Sequence, residues 1–259
     1  MTIRPLHRPV RPSPVFLLLV AVTAAGGAMA WAAAAQVGPL AYAGVCVFVL
    51  AGWVVSVCLH EFAHAFTAWR FGDHGVAVRG YLTLNPLRYT SPLLSLGLPL
   101  LFIAFGGIGL PGGAVYVRTA GMPPRRQSLV SLAGPATNLV LAVLLLTVAG
   151  LGAEPGHAVF WAGVAFLGFL QVTALVLNLL PVPGLDGYGA LEPHLGADVR
   201  RTLEPVKQWG FVVLVVLLLS PAVNHWFFSV VFWCFDLSGV PGALVSVGSR
   251  LTRFWSAWL

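Results

Sequence analysis

Three long stretches without Lys or Arg constrain this chain more than any other feature of its sequence. Lys and Arg are absent from residues 12–69, 127–199 and 208–249. Charged residues make up only 8% of the 259 residues, against about 25% in soluble domains, and the mean hydropathy is +0.89. A water-soluble globule and a disordered chain are both excluded, because the first carries more charge and the second fewer apolar residues. The chain therefore has to be divided into bilayer crossings of about 20 apolar residues each.

The basic residues lie in groups between the apolar stretches. This grouping is typical of the cytoplasmic loops of membrane proteins, and it accounts for the net charge of +6. We therefore expect no nucleic-acid partner. The cysteines Cys46, Cys58 and Cys234 lie far apart in apolar runs, so neither a disulfide framework nor a thiolate metal site is predicted.

Apolar runs of membrane-spanning length predict an α-helical polytopic membrane protein with about five to six transmembrane segments. Four runs are long enough to cross: residues 15–35, 40–71, 129–150 and 158–180. The first could instead be a cleaved signal peptide, because Ala28-Met29-Ala30 fits a cleavage site. A retained helix is favoured, since the run continues apolar beyond that point. Residues 211–235 form a fifth run that is interrupted by Pro221 and is either one helix or two.

A small membrane-associated β element is expected between the second and third runs. Residues 76–90 and 113–119 are rich in residues that favour strands, and the first segment alternates in part. Residues 91–111 are apolar but repeatedly interrupted by Gly and Pro. A re-entrant or hairpin element fits that interruption better than a crossing.

The second run contains the pattern H-E-x-x-H, formed by His60, Glu61 and His64. Histidines four positions apart lie on one helix face, so both rings can bind one zinc ion, and the glutamate can reach a zinc-bound water. That carboxylate can take the proton of the water as it attacks a carbonyl. Three ionisable residues so close together in a membrane helix are costly unless they are paired, bind a metal or face a wet cavity. The motif therefore predicts a metal site.

A third ligand is expected, because hydrolytic zinc sites usually have three protein ligands and one open position. Asp186 follows an apolar run and lies among turn-forming residues, and non-helical chain at membrane depth is tolerated where it lines a cavity. It could also be a simple turn aspartate before a glycine. His194 stays open as an alternative ligand.

The depth of these residues in the membrane gives a further constraint. His64 and Asp186 can share one ion only if an even number of full crossings separates them. Residues 129–150 and 158–180 supply two crossings, so residues 91–111 should not cross. The basic loops then face the cytoplasm, and the active site opens toward the cytoplasmic side.

The sequence resembles the site-2 proteases, which are intramembrane zinc metalloproteases. Three ordered motifs carry the resemblance: His60-Glu61-x-x-His64, Ser131-Leu-Ala-Gly134-Pro135-Ala-Thr-Asn138, and N-x-x-P-x-P-x-x-D-G from Asn178 to Gly187. The resemblance implies one Zn²⁺ ion held by His60, His64 and Asp186, with Glu61 as the base. It also implies that Asn178 and Asn138 position the substrate or stabilise the oxyanion.

The same resemblance suggests how the chain is divided and what it acts on. We expect a basic cytoplasmic tail at 1–14, a transmembrane metalloprotease domain at 15–240 with its core at 40–190, and an interfacial C-terminal tail at 241–259. No stretch is long and polar enough for a PDZ module, so a compact form is expected. The expected partners are then the lipid bilayer and a transmembrane protein substrate. A peptide bond within or near the membrane segment of that substrate would be hydrolysed. One Lys against thirteen Arg indicates a GC-rich bacterial genome and hence a bacterial cell membrane.

Two other functions stay open on the sequence alone. A zinc-dependent transporter or an inactive scaffold would keep the metal site, although the intact Glu61 argues against inactivity. A membrane zincin of the CAAX-processing type would use a glutamate in place of Asp186. Under the protease hypothesis, an edge strand at 76–90 or 113–119 either would hold the substrate extended by pairing with its backbone or would only brace the helices.

Overall fold

The computed structural model describes residues 10–89, 97–104, 115–207 and 209–257. Within these ranges the chain is built from helices, turns and irregular segments. In chain order the helices are α1 (Pro14–Ala32), α2 (Pro39–Arg70), α3 (Gly75–Val78), α4 (Leu98–Ala104), α5 (Pro124–Gly152), α6 (Ala158–Asn178), α7 (Asp186–Leu191), α8 (Ala197–Lys207), α9 (Gly210–Leu219), α10 (Pro221–Asp236) and α11 (Gly242–Thr252).

Four of these helices, α1, α2, α5 and α6, are long and apolar enough to cross a membrane. They match the four runs predicted from the sequence, so a helical membrane protein is confirmed. The run at 211–235 is divided into α9 and α10, because Pro221 has no N–H to continue a helix and instead lies in the first turn of the next. The count of five to six segments stays a prediction.

The segment 91–111 is described only at residues 97–104, where it forms α4. A helix of 7 residues is about 10 Å long, which is far short of the hydrocarbon core of about 30 Å. The described part of this segment therefore does not cross by itself.

The strand prediction for residues 76–90 is wrong over the part that the structure describes. Residues 76–78 belong to α3, and 3₁₀ turns follow at Tyr81–Thr83 and Pro86–Arg88. Gly80 and Leu84 have φ angles of 77° and 57°, and this left-handed conformation interrupts any extended chain. The apolar residues that suggested a strand instead pack in turns against the end of α2. Residue 90 lies outside the described residues.

The second predicted strand, 113–119, is described from residue 115 onward and has no regular structure there. Its backbone is bound by the turn after α2. Asp73 Oδ2 accepts a hydrogen bond from the Arg118 N–H at 2.7 Å, and Arg79 donates to the Tyr116 carbonyl at 2.9 Å. The described residues contain no strand, so they do not support the expected β element.

Small residues allow α1 and α2 to lie against each other at backbone contact distance. A Cβ at Gly26 would lie 2.5 Å from the backbone nitrogen of Phe48, and one at Gly44 would lie 2.6 Å from that of Ala30. Such close helix contacts are typical of membrane proteins, where small residues let backbones approach. This contact fixes α2, which carries the H-E-x-x-H motif, from one side.

Helix α6 occupies the centre of the structure. Most of its side chains are buried, because α1, α2, α5, α10 and α11 all pack against it. Helix α11 comes close enough that a Cβ at Gly248 would lie 2.6 Å from that of Phe166. The C-terminal segment 241–259 thus contains a helix packed on the core, and its position at the membrane interface stays a prediction.

Candidate metal centre

Helix α2 places the two histidines of the motif one turn apart on its buried face. His60 and His64 are 8% and 7% exposed, and their Nε2 atoms are 3.0 Å apart. No Gly or Pro interrupts α2 between Trp53 and Arg70, so the spacing of four residues becomes one helical turn.

Asp186 lies close to these histidines in space, although it is far from them in the sequence. Helix α6 ends at Asn178, the chain turns back, and α7 begins at Asp186. Gly187 makes this return possible, because a Cβ there would lie 2.5 Å from the carbonyl carbon of Leu179. As a result Asp186 Oδ2 lies 3.2 Å from His60 Nε2 and 3.4 Å from His64 Nε2.

The separations of the three donor atoms are close to those of zinc ligands. Ligands at 2.0–2.2 Å from a tetrahedral centre lie about 3.3 to 3.6 Å from one another, and the observed triangle, with sides of 3.0, 3.2 and 3.4 Å, is slightly smaller. Asp186 Oδ2 is buried and receives no hydrogen bond, which is costly for a carboxylate without a cation. Within the described residues, this is the group of His, Cys, Asp and Glu donors that converges. The residues present therefore fit zinc.

Gly134 of α5 provides the space beside the two rings. A Cβ at this position would lie 2.5 Å from His60 Nε2 and closer still to His64 Nε2. A side chain at 134 would therefore occupy the space beside the Nε2 atoms of both histidines.

Both imidazoles are held through their second ring nitrogen. His64 Nδ1 lies 2.7 Å from the Val130 carbonyl oxygen, and His60 Nδ1 lies 2.7 Å from Asn138 Oδ1. A carbonyl can only accept, so Nδ1 carries the proton and Nε2 keeps its lone pair. Partners of this kind orient metal-binding histidines and fix their tautomer.

The donor atoms of His60, His64 and Asp186 form what we call the donor triangle. Glu61 lies beside this triangle and is 4% exposed. The Val115 backbone N–H donates a hydrogen bond to its carboxylate. The described segment after residue 114 thus passes along the site, and its backbone restrains the Glu61 carboxylate.

The two asparagines predicted as substrate contacts occupy different positions. Asn138 is 4% exposed and lies behind His60, with Oδ1 facing the ring and Nδ2 donating to Gln171 at 2.8 Å. Asn178 is 8% exposed and ends α6, where its side chain has no hydrogen-bond partner within the described residues.

The alternative ligands lie elsewhere. His194 Nε2 contacts the Ser128 hydroxyl at 3.0 Å. Among the other glutamates, Glu154 pairs with His157, and both Glu192 and Glu204 pair with Lys207. The geometry therefore favours Asp186 over His194 or a glutamate as the third donor.

Sequence reasoning missed Gln171 and Ser56, which continue the contacts of Asn138. Gln171 Nε2 donates to Ser56 Oγ at 2.9 Å, and Gln171 has no exposed surface. A signal was available, because an amide in the middle of an apolar membrane helix is costly and usually has a specific partner.

Comparison with known proteins identifies close relatives. The chain is 69% identical over 258 residues to "Putative zinc metalloprotease Rip2" of Mycolicibacterium smegmatis, covering 100% of both chains. It is 67% identical over 249 residues to the protein of the same name in Mycobacterium tuberculosis, covering 96% of each. The chain belongs to this family of site-2 protease-like zinc metalloproteases.

A more distant member supports the same assignment. "Putative zinc metalloprotease YwhC" of Bacillus subtilis is 36% identical over 180 residues, which cover 66% of this chain and 80% of that one. No family model matches the chain, and no solved structure matches it. Because the relatives are named zinc metalloproteases and the donor triangle fits zinc, zinc is the metal of this family and of this chain.

Proposed function

We propose that this membrane metalloprotease is an intramembrane zinc endopeptidase. It hydrolyses a peptide bond within or near the transmembrane segment of another membrane protein. The observation that carries this proposal is the donor triangle of His60, His64 and Asp186, buried among apolar helices of membrane-spanning length. A site of this chemistry inside the bilayer has access to peptide bonds that soluble proteases do not reach.

His60, His64 and Asp186 would hold the zinc ion and leave one coordination position open. Bound there, zinc would polarise the scissile carbonyl and lower the pKa of a water molecule to about 7. Glu61 would act as the base, taking the proton of that water and delivering it to the leaving amine. The hydrogen bond from the Val115 N–H holds its carboxylate in place.

Asn178 is the residue that we assign to the substrate. The residue is 8% exposed at the end of α6 and its amide has no partner within the described residues, so the amide would be available to donate to a substrate carbonyl or to the developing oxyanion. Asn138 would instead position His60, since its carbonyl oxygen and its amino group both already have protein partners.

The segment after residue 114 is our candidate for holding the substrate extended. The Tyr116 carbonyl and the Arg118 N–H both face the turn after α2, as groups two residues apart do in an extended chain. The Val115 N–H faces Glu61 on the other side, and Val117 should face the same way. Since Val117 makes no backbone hydrogen bond to another described residue, its peptide groups would pair with a substrate strand.

We further propose a multi-pass protein of the bacterial cell membrane whose site opens toward the cytoplasm. The basic residues that follow α2 and those of α8 would then lie on the same side as the tail at 1–14. The protease domain would span residues 15–240, with 241–259 near the membrane interface.

The test compares membrane-peptide proteomics of cells that express the wild-type chain, Glu61→Gln or Glu154→Gln. Glu154→Gln makes the same chemical change in the loop between α5 and α6, away from the donor triangle. Peptides that end inside transmembrane segments should be present with the wild type and the control and absent with Glu61→Gln. All three proteins should contain one zinc per chain.

Unchanged peptide ends in the Glu61→Gln sample would refute the assigned base. Zinc-dependent ion flux in proteoliposomes, with no new peptide ends in any sample, would favour the transporter hypothesis instead.

A further inference from the structure

A chain of side-chain hydrogen bonds runs from His60 across three helices and ends on the backbone of α2. Asn138 on α5 contacts His60 Nδ1 at 2.7 Å, Gln171 on α6 accepts from Asn138 at 2.8 Å, and Ser56 on α2 accepts from Gln171 at 2.9 Å. Ser56 Oγ in turn donates to the Trp53 carbonyl at 2.8 Å. We call these four side chains, His60, Asn138, Gln171 and Ser56, the relay.

The backbone carbonyl at the end of the relay sets the direction of every bond in it. Ser56 Oγ lies 2.8 Å from the Trp53 carbonyl and 3.1 Å from the Gly52 carbonyl. Since a carbonyl can only accept, the single proton of the hydroxyl is directed at this backbone, and Ser56 Oγ accepts from Gln171. Gln171 therefore turns its amino group to Ser56 and its oxygen to Asn138. Asn138 must then donate to Gln171 and turn its own oxygen to His60, so that the proton of His60 sits on Nδ1.

The two histidines differ in whether the partner of Nδ1 can reverse its orientation. The partner of His64 is the Val130 carbonyl, which belongs to the backbone and cannot turn over. The partner of His60 is a side-chain amide, whose oxygen and nitrogen exchange places by a rotation of half a turn. With Asn138 reversed, its amino group would face Nδ1, the proton would move to Nε2, and that nitrogen could not bind a metal.

We propose that Gln171 and Ser56 are positioning residues that keep Asn138 in one orientation and thereby hold His60 in the metal-binding tautomer. The inference rests on the proposed zinc site and adds to it two residues that do not contact the ion. Burial supports it, since Gln171 is fully buried and Ser56 is 5% exposed. Water is thus not an alternative partner that could satisfy a reversed Asn138.

The first experiment uses Gln171→Met, which keeps the length of the side chain and removes both polar groups. Zinc affinity of the purified full-length chain in lipid nanodiscs, measured by competition with a chelator, should fall about 10- to 100-fold, as is common when partners of metal ligands are removed. Thr173→Val is the matched control. Thr173 is equally buried on α6, but its hydroxyl bonds only to the Phe169 carbonyl of its own helix.

The second readout is the tautomer itself, taken from ¹⁵N spectra of the histidine-labelled, metal-free chain. The wild type and Thr173→Val should show the Nδ1 atoms of both His60 and His64 protonated, whatever the state of the Nε2 atoms beside Asp186. In Gln171→Met a fraction of His60 should have no proton on Nδ1, while Nδ1 of His64 stays protonated. A change at both histidines would indicate general loosening of the core and would overturn the relay.

Ser56→Ala tests the far end of the relay with little change in volume, and it decides the matter if Gln171→Met does not fold. It should shift the His60 tautomer in the same direction. The double variant Ser56→Ala/Gln171→Met should bind zinc no more weakly than Gln171→Met alone, because Ser56 acts through Gln171. Additive losses, or a zinc affinity within twofold of Thr173→Val in the single variants, would overturn the proposal.

These outcomes are separate from those of the proposed function. A wild-type chain that binds no zinc would defeat the metal site, whereas the tautomers of the metal-free chain would still report on the relay. A chain that binds zinc but cleaves nothing would leave the relay standing.

Discussion

Gly134 of α5 faces His60 so closely that a Cβ at this position would lie 2.5 Å from the Cε1 and Nε2 atoms of the imidazole. Real Cβ contacts are not this short, so any side chain at 134 has to displace the rings or the helix. The lack of a side chain at position 134 therefore leaves room for the candidate metal site beside α2.

Gly134→Ala should abolish zinc binding. The added methyl group would displace the imidazoles from their positions beside Asp186, and we expect less than one tenth of the zinc per chain that the wild type holds. Elemental analysis of the purified protein measures this. Gly150→Ala on the same helix is the control, because its Cβ would meet the nearest atom at an ordinary 3.6 Å. Full zinc content in Gly134→Ala would show that the site can open to accommodate the methyl group.

Asp186→Ala should also remove zinc, with an affinity loss of more than 100-fold, because two imidazoles alone do not complete the site. Glu192→Ala should bind zinc normally, since Glu192 pairs with Lys207 rather than with the histidines. Chelator competition on both variants measures the difference. The reverse result, with zinc lost on removing Glu192, would favour a CAAX-type site.

Asn178→Ala should separate zinc binding from catalysis. Removal of one oxyanion donor typically costs about 10²- to 10³-fold in rate, and the zinc content should not change because Asn178 does not contact the donor atoms. Rates on a fluorogenic peptide in detergent provide the measurement. Asn224→Ala on α10 is the control, since that side chain donates to the Leu218 carbonyl. Normal rates for Asn178→Ala would remove the residue from the mechanism.

Asp73→Ala should loosen the segment after residue 114. Asp73 is 7% exposed and accepts the Arg118 N–H at 2.7 Å in a part-buried contact, so its loss removes a hydrogen bond to a charged group, worth about 1.5–3 kcal/mol. Hydrogen exchange at the Arg118 amide should become at least tenfold faster, with normal zinc content and slower peptide cleavage. Asp198→Ala on the exposed face of α8 should leave all three measurements unchanged. An unchanged Arg118 exchange rate would show that other contacts hold the segment.

The helices and the motif were predictable from the sequence because each depends on local spacing. A run of about 20 apolar residues specifies a crossing, and a separation of four residues in a helix specifies that His60 and His64 share a face. Asp186 was predictable as a candidate, since it follows an apolar run and lies among turn-forming residues. Only the structure brings its oxygen within 3.4 Å of both rings.

The segment after α2 was mispredicted because strand propensity depends on what the side chains pack against. Val76 and Leu82 are fully buried, but they reach α2 through turns in which Gly80 and Leu84 are left-handed. The role of Asn138 was missed for a different reason. Its partner lies 78 residues away in the chain, and no local pattern reports a contact of that kind.

The three candidate metal donors lie far apart in the chain. Two lie on α2, and the third lies on a six-residue helix that follows α5 and α6 in the chain. Zinc can be captured by all three only after both of those long helices have been inserted. Loading of the ion would thus be a late step in biogenesis, and a partly synthesised chain would carry no proteolytic activity into the bilayer.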